Sequence, residues 1–363
     1  MPEATQLPAG AGAGASVTMA ICCHNGAKRL RPTLAHLRAQ IVPPDIQWEV
    51  LFIDNASTDG SAQLAQELWG NDSSAPLRIV REPLLGVRNA RERALKEAKF
   101  ELIGFVDDDT WLGEHWVAVA TEVMAGNPAL GAVGGLIYPA YEATPPFWWY
   151  DLARYFGLLL EAPAEPRHWL NTGGTAIRKS AWQALISKRF RSRLVGRYGK
   201  RLSCGEDNEL TYALHQAGWE LRIEPRLRLL HFIEADRMTW PYMRRMVRSH
   251  AASWVMLHAI FAAAEGRRLP DRFPWLPDSL KESWQRHVFS TVKNSLLRPR
   301  RLWRWAVSGV EGDPEVLEME HEIGGLIGLL TFRNQFTRLM RQARERASAQ
   351  PGHTPARQSV RDA

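Results

Sequence analysis

Three consecutive carboxylates, Asp107, Asp108 and Asp109, follow the β-prone run from Glu101 to Val106. Adjacent carboxylates repel one another unless a cation or basic neighbours offset the charge. Alternate acids at a strand end can jointly face Mg2+ or Mn2+ and leave metal positions for diphosphate oxygens. A solvated acidic turn has the same pattern, so the cluster alone does not decide. A second acidic pair, Glu206 and Asp207, comes about one hundred residues later. Acids there stabilise a helix N-terminus by their charge, or one of them takes a proton from an attacking hydroxyl. His231 ends a short apolar run, Leu227 to Leu230, as a structural hydrogen-bonding residue or as a ligand to metal or diphosphate. Gly173 and Gly174 form a turn where backbone can approach a ligand closely. Between 188 and 201, seven basic residues and two glycines read as a mobile loop suited to a diphosphate or an anionic acceptor, or simply as a solvated one.

Alternating strand and helix signals must position these groups. Ser16 to Cys22, Trp48 to Asp54, Leu77 to Arg81 and Glu101 to Val106 read as strands. The intervening helices carry Leu30, Leu34 and Leu37, then Leu64 and Leu68 after a start at Ser57 to Asp59, then the segment from Gly86 to Ala98. This order implies right-handed βαβ units, a mostly parallel sheet, and ligands beyond the carboxyl ends of the strands. The segments Cys22 to Asn25, Asp54 and Asp107 to Asp109 all lie at such ends. A helix is expected from Glu206 to Gln216, and helical signals dominate beyond about Thr239.

Length and composition bound the function. The 363 residues, 45% of them hydrophobic, suffice for a large α/β domain with an appendage. Three cysteines, two of them adjacent and none in a CxxC pair, argue for a reducing compartment. The first fifteen residues lack a basic region followed by an apolar one, so a cytoplasmic location without a signal peptide is expected. The net charge of +7 is dominated by arginine, since only eight of 46 basic residues are lysine. Guanidinium suits phosphate-bearing ligands or an anionic membrane face, although a coding bias toward arginine would look the same. No zinc-knuckle spacing or RNP-type strand supports nucleic acid as a partner.

Seven segments in order carry a resemblance: AICCHNGAKRL at 20–30, VLFIDNASTDGSAQL at 50–64, GVRNARERAL at 86–95, IGFVDDDTWL at 103–112, NTGGTAIRKSAW at 171–182, SCGEDNELTYALHQAGWELRIEP at 203–225 and LLH at 229–231. Together they resemble the inverting family 2 glycosyltransferases of GT-A fold over roughly residues 16 to 235. The resemblance implies an α/β GT-A domain over 16–238, its nucleotide-binding half spanning about 16–110 and its acceptor half about 111–238. A helical C-terminal region at 239–346 follows, with a flexible leader at 1–15 and a disordered tail at 347–363. It implies transfer from a nucleotide-diphosphate sugar to a hydroxyl on a glycan or lipid-linked acceptor, with Mn2+ or Mg2+ as cofactor. Cys22, Cys23, His24, Asn25 and Asp54 would hold base and ribose; here Cys-Cys-His replaces the family's usual Pro-Thr-Tyr. Arg88 would approach the donor phosphates or ribose. Asp107 and Asp109 would frame the metal with Asp108 beside them, and His231 would join it. Gly173 and Gly174 would face donor and acceptor, with Arg178 bracing the turn. Asp207 would be the catalytic base and Glu206 its neighbour on the acceptor side.

Rival readings are weaker. A sugar-nucleotide pyrophosphorylase should carry a Gly-rich basic loop after its first strand, where this chain has Cys-Cys-His-Asn-Gly. In a dinucleotide oxidoreductase the glycines would follow the first strand, whereas Gly10 to Gly14 precede it. A non-catalytic nucleotide-sugar or glycan-binding scaffold would not need both acidic pairs. In the C-terminal third, the apolar run 251–264 is too short to span a bilayer. Arginines with Trp303 and Trp305 between Leu296 and Val307 suit either a helical bundle or peripheral contact with an anionic membrane, and the segment Phe147 to Tyr150 suits interior packing or sugar stacking.

Overall fold

A computed structural model describes residues 16–199, 201–266 and 284–349. The leader at 1–15, Lys200, Arg267, Arg268 and the tail at 350–363 lie outside the described residues. Two compact units emerge. Of the described residues, the first holds 16–144, 156–199 and 206–235, and the second holds 145–155, 201–205, 236–266 and 284–349.

The first unit is built on one eight-stranded sheet: β1 (Ser16–Cys23), β2 (Gln47–Asn55), β3 (Leu77–Glu82), β4 (Leu102–Asp107), β5 (Thr110–Leu112), β6 (Leu130–Tyr141), β7 (Thr175–Arg178) and β8 (Glu220–Ile233), in the order β3-β2-β1-β4-β7-β6-β8-β5. The first four pair in parallel, and so do β6 and β8. β7 runs antiparallel to both β4 and β6, and β5 antiparallel to β8, so the sheet is mixed, with the parallel pairings in the majority. The reversal at β7 needs no crossover helix from β6, only the long excursion that returns through Gly173 and Gly174.

Helices cover both faces because β1, β2 and β4 are apolar on both faces. On one face α1 (Ala27–Arg38) inserts Leu30, Leu34 and Leu37, one every turn, against Val17, Met19, Ile21 and Cys23. On the other, α3 (Val87–Glu97) and α5 (Lys179–Ser187) pack on Ala20, Leu51, Ile53, Ile103 and Phe105. Helix α2 (Ser61–Trp69) begins later than expected. Ser57 to Asp59 stay in a loop whose side chains and amides bond to Asp54, Asn25 and Ala27. Helix α4 (Trp116–Gly126) is buried along most of its length, and α6 (Glu206–Gln216) has the expected bounds. β8 extends well beyond the expected Leu227–Leu230, which places His231 inside the strand opposite Thr110.

In the second unit α7 (Trp240–Glu265) is followed by α8 (Trp284–Leu296), α9 (Pro299–Val307), α10 (Pro314–Thr331) and α11 (Arg333–Ala349). α11 carries Ala347 to Ala349, so the helical region passes the expected boundary at 346. α10 lies close on α7: a Cβ on Gly324 would come within 2.2 Å of Arg248 O, and one on Gly328 within 2.4 Å of Ala252 O. Glu320, fully buried on α10, accepts from Arg244 Nε, Arg248 Nε and Trp305 Nε1. Trp148 and Trp149 are interior residues of this unit, with Trp148 edge-on to Trp240 at 5.2 Å. No helix among the described residues is long and apolar enough to cross a membrane.

Candidate active site

Strand alternation separates the three acids. On β4, Ile103 and Phe105 face α3, so Asp107 projects to that side, while Asp108 turns with Val106 toward α1. Asp108 is buried there, 2.7 Å from Arg29 Nη2 and 3.5 Å from Cys23 Sγ, and its carbonyl accepts from Thr33 Oγ1. Burial, then Asp109, raises its carboxyl to about 6, with Arg29 pulling the other way. Asp108 is thus committed to α1, whereas a place beside the ribose or metal was expected for it.

Asp107 meets Arg91 of α3 at 3.4 Å, and the same guanidinium forms an ion pair with Glu206 in the first turn of α6. Burial opposes the Arg91 charge, but Glu206, Asp107 and Asp207 outweigh it and hold the guanidinium protonated. Burial, then Asp207, pushes the Glu206 carboxyl up to about 7 against the pull of Arg91. Asp207 Oδ2 accepts from Thr172 N at 3.2 Å and Oδ1 from Asn208 N at 2.9 Å. Asp107 borders the same turn, since a Cβ on Gly173 would lie 3.0 Å from its Oδ2. Strand β4, the turn at 172–174 and the start of α6 therefore converge, with Arg91 binding two of them.

Asp109 and His231 form a second constellation. His231 Nδ1 donates to Phe156 O at 3.0 Å, because a carbonyl can only accept. The other ring nitrogen, Nε2, lies 3.6 Å from Asp109 Oδ2, so a neutral imidazole would present a lone pair beside a carboxylate oxygen. Two acceptors so placed suit a cation between them, and a backbone carbonyl behind the imidazole is the usual support of a metal-binding histidine. Among the described residues no group of three or more His, Cys, Asp or Glu is assembled to hold a metal. A divalent ion here would have to complete its shell with ligand or water oxygens, as Mg2+ and Mn2+ do at diphosphate sites.

At the neighbouring strand ends, His24 Nδ1 donates to Asn55 O, Asn25 adopts φ 50° and accepts from Thr58 N, and the buried Asp54 accepts from Ser57 N. Cys22 lies on the α3 face, where burial above all raises its thiol to about 12 and keeps it un-ionised. Cys23 is a correction: it was expected to touch the nucleotide, but it is fully buried in the α1 core. Arg178 is another. It donates to Leu130 O and Met124 O, and pairs with Leu102 at the opposite end of β4 from Asp107, so it braces α4 and not the glycine turn. Arg88, expected at the phosphates, donates to Ser192 O. Arg91 was overlooked, although its position on the buried stripe with Ala90, Ala94 and Leu95 is the signal that marks it. The basic loop is tethered, at least in part: Glu209 of α6 accepts from Ser192 Oγ, Arg193 N and Leu194 N.

Comparisons with known proteins bear on the family and the fold. Residues 18–189 match the family described as Glycosyl transferase family 2. A curated relative, the poly-beta-1,6-N-acetyl-D-glucosamine synthase of Staphylococcus epidermidis, is 25% identical over 119 residues, 33% of this chain and only 28% of that enzyme's length. The mannosyltransferase PcManGT of Pyrobaculum calidifontis, solved with GDP-Man and Mn2+, is similar in fold at TM-score 0.50 and 16% identity, covering 92% of this chain and 86% of that one. S. aureus TarS 1-349 in complex with UDP also matches, at TM-score 0.44 and 16% identity over 93% of each chain. The chain therefore carries a family 2 glycosyltransferase domain of the GT-A fold.

Proposed function

We propose that the protein is an inverting, metal-dependent glycosyltransferase that moves a sugar from a nucleotide-diphosphate sugar to an acceptor hydroxyl in polysaccharide or glycolipid synthesis. The supporting observation is the convergence of Asp107, the turn at Thr172–Gly174 and Asp207 around Arg91. His24, Asn25 and Asp54, with Cys22 beside them, bind the base and ribose at the ends of β1 and β2. The acceptor enters between Gly173 and Asp207.

Asp207 takes the proton as the acceptor oxygen forms its bond to the anomeric carbon and the bond from that carbon to the diphosphate oxygen breaks. Two backbone N–H groups fix its carboxylate, and the α6 N-terminus favours its charge. Glu206 and Arg91 hold α6 in register with Asp107. Asp109 and His231 would hold Mn2+ or Mg2+, which when bound neutralises charge on the leaving diphosphate. Asp107, also expected at the metal, is drawn instead toward Arg91. The enzyme acts in the cytoplasm on a glycan or lipid-linked acceptor, with peripheral contact to the inner face of the membrane.

The test is Asp207→Asn. It should retain donor-induced thermal stabilisation in the presence of Mn2+ and lose transfer by about three orders of magnitude, the middle of the range for removing a general base. Transfer at the parental rate would overturn the assignment.

A further inference from the structure

Residues 284–310 contain six lysine or arginine side chains and no aspartate or glutamate. Helix α9 sorts its own basic residues by face. Arg301 pairs with Glu318 and Glu322 of α10, Arg304 pairs with Asp313 and Glu315, and Trp305 Nε1 donates to Glu320. That face is neutralised inside the bundle. The outward face carries Arg300, Trp303 and Val307 at helical spacing, with Trp303 66% and Val307 58% exposed. The turn leading into it adds Leu296 and Leu297, 65% and 68% exposed, together with Arg298, whose side chain is 54% exposed although its Nη1 reaches Glu322 Oε1 at 3.9 Å. Single exposed apolar residues are ordinary, but four large ones on two consecutive helix ends, beside exposed cations, mark a surface built for contact.

We propose that this elbow between α8 and α9 docks on an anionic lipid bilayer. Leu296, Leu297, Trp303 and Val307 enter the boundary between headgroups and acyl chains, and Arg298 and Arg300 meet the lipid phosphates. Charge complementarity selects the occupant. A two-fold contact with a second copy through this patch would set the Arg300 of one copy near that of the other, with no aspartate or glutamate between residues 284 and 310 to offset them. An anionic headgroup layer offers both the apolar depth and the opposite charge. The inference gives a surface to the peripheral contact in the proposed function, and its test does not read transfer, so either can fail alone.

The full chain is sedimented with sucrose-loaded vesicles of equimolar phosphatidylglycerol and phosphatidylcholine, or of phosphatidylcholine alone. The parent should pellet with the anionic vesicles, and less so as salt rises. Leu297→Glu/Trp303→Glu should lower the partition coefficient about tenfold or more while the thermal midpoint and donor-induced stabilisation stay at parental values. Arg298→Gln/Arg300→Gln, which keeps the apolar residues, should lose the preference for anionic over neutral vesicles; it also carries the test if the first variant folds poorly. Failure of the parent to pellet would overturn the proposal, as would parental binding by both variants. So would a parental dimer by light scattering that the first variant dissociates without any vesicle binding.

Discussion

Arg91 on α3 and Glu206 on α6, 115 residues apart, form a buried ion pair that ties the strand carrying Asp107 to the helix carrying Asp207. Because one guanidinium serves two carboxylates on different elements, the geometry between β4 and α6 depends on it. Removing one member of a buried pair leaves uncompensated charge and costs about 3–5 kcal/mol. Arg91→Met should therefore lower stability by about that amount in urea denaturation. Arg91→Met/Glu206→Gln should recover part of the loss. Unchanged stability of the single variant would remove Arg91 from this role.

The Asp109–His231 pair predicts a binding signature independent of turnover. With UDP or GDP present, Mn2+ should raise the melting temperature of the parent. His231→Ala and Asp109→Asn should each abolish most of that rise while leaving the metal-free melting temperature within about 3 °C of the parent. An undiminished Mn2+ response in both variants would exclude this pair as ligands.

Glu206 predicts a pH dependence of stability. Its carboxyl titrates near 7 in the folded protein against an ordinary 4.5, chiefly through burial. Between those values the folded state binds the extra proton, so its stabilising contribution is complete below about 4.5 and is lost as pH rises through 7. Glu206→Gln has no such titration. Its melting temperature should therefore gain on the parent by about 2–4 °C between pH 5 and pH 7.5. A constant difference across that range would contradict the shift.

The glycine turn separates folding from binding. Gly174 has φ +71°, and a Cβ there would lie 1.9 Å from Leu229 Cδ2, so Gly174→Ala should destabilise by about 2–3 kcal/mol. Gly173 has no positive φ, and its added Cβ would meet only Asp107 Oδ2 at 3.0 Å. Gly173→Ala should melt within about 3 °C of the parent yet lose transfer, because the methyl fills the approach to Asp107. Equal stability of the two variants would refute the distinction.

Glu209 predicts local order in the basic loop. Glu209→Ala removes the acceptor for Ser192 Oγ, Arg193 N and Leu194 N, groups that cost about 1–3 kcal/mol each when buried without a partner. Trypsin should then cut after Arg191 or Arg193 at least several-fold faster than in the parent. Parental cleavage rates would show that the loop is held by other contacts.

Much of this was legible in one dimension. Alternating β and α patterns located β1 to β4 within a residue or two, and the acids of α6 marked its start. The strand-end positions of Asn25, Asp54 and Asp107 followed from the same pattern, because a buried strand must end where polar residues begin. Strand β8 was underestimated, since its alternating arginines mask a long edge-side strand from a search for apolar runs.

The partners of those residues were not legible. Period-two alternation assigns Asp107 and Asp108 to opposite faces, but only packing shows that one face offers Arg91 and the other Arg29. Arg88 and Arg91 are one helical turn apart and chemically identical, yet one faces the loop at Ser192 and the other the sheet. The same holds for adjacent Cys22 and Cys23, and for Arg300 and Arg301 on α9. By itself the sequence determined which residue types stand at the strand ends and in what order, because hydrophobic periodicity is a local property. The tertiary structure decided which charges meet, because that depends on the rotation of each helix and on strands brought together from more than a hundred residues apart.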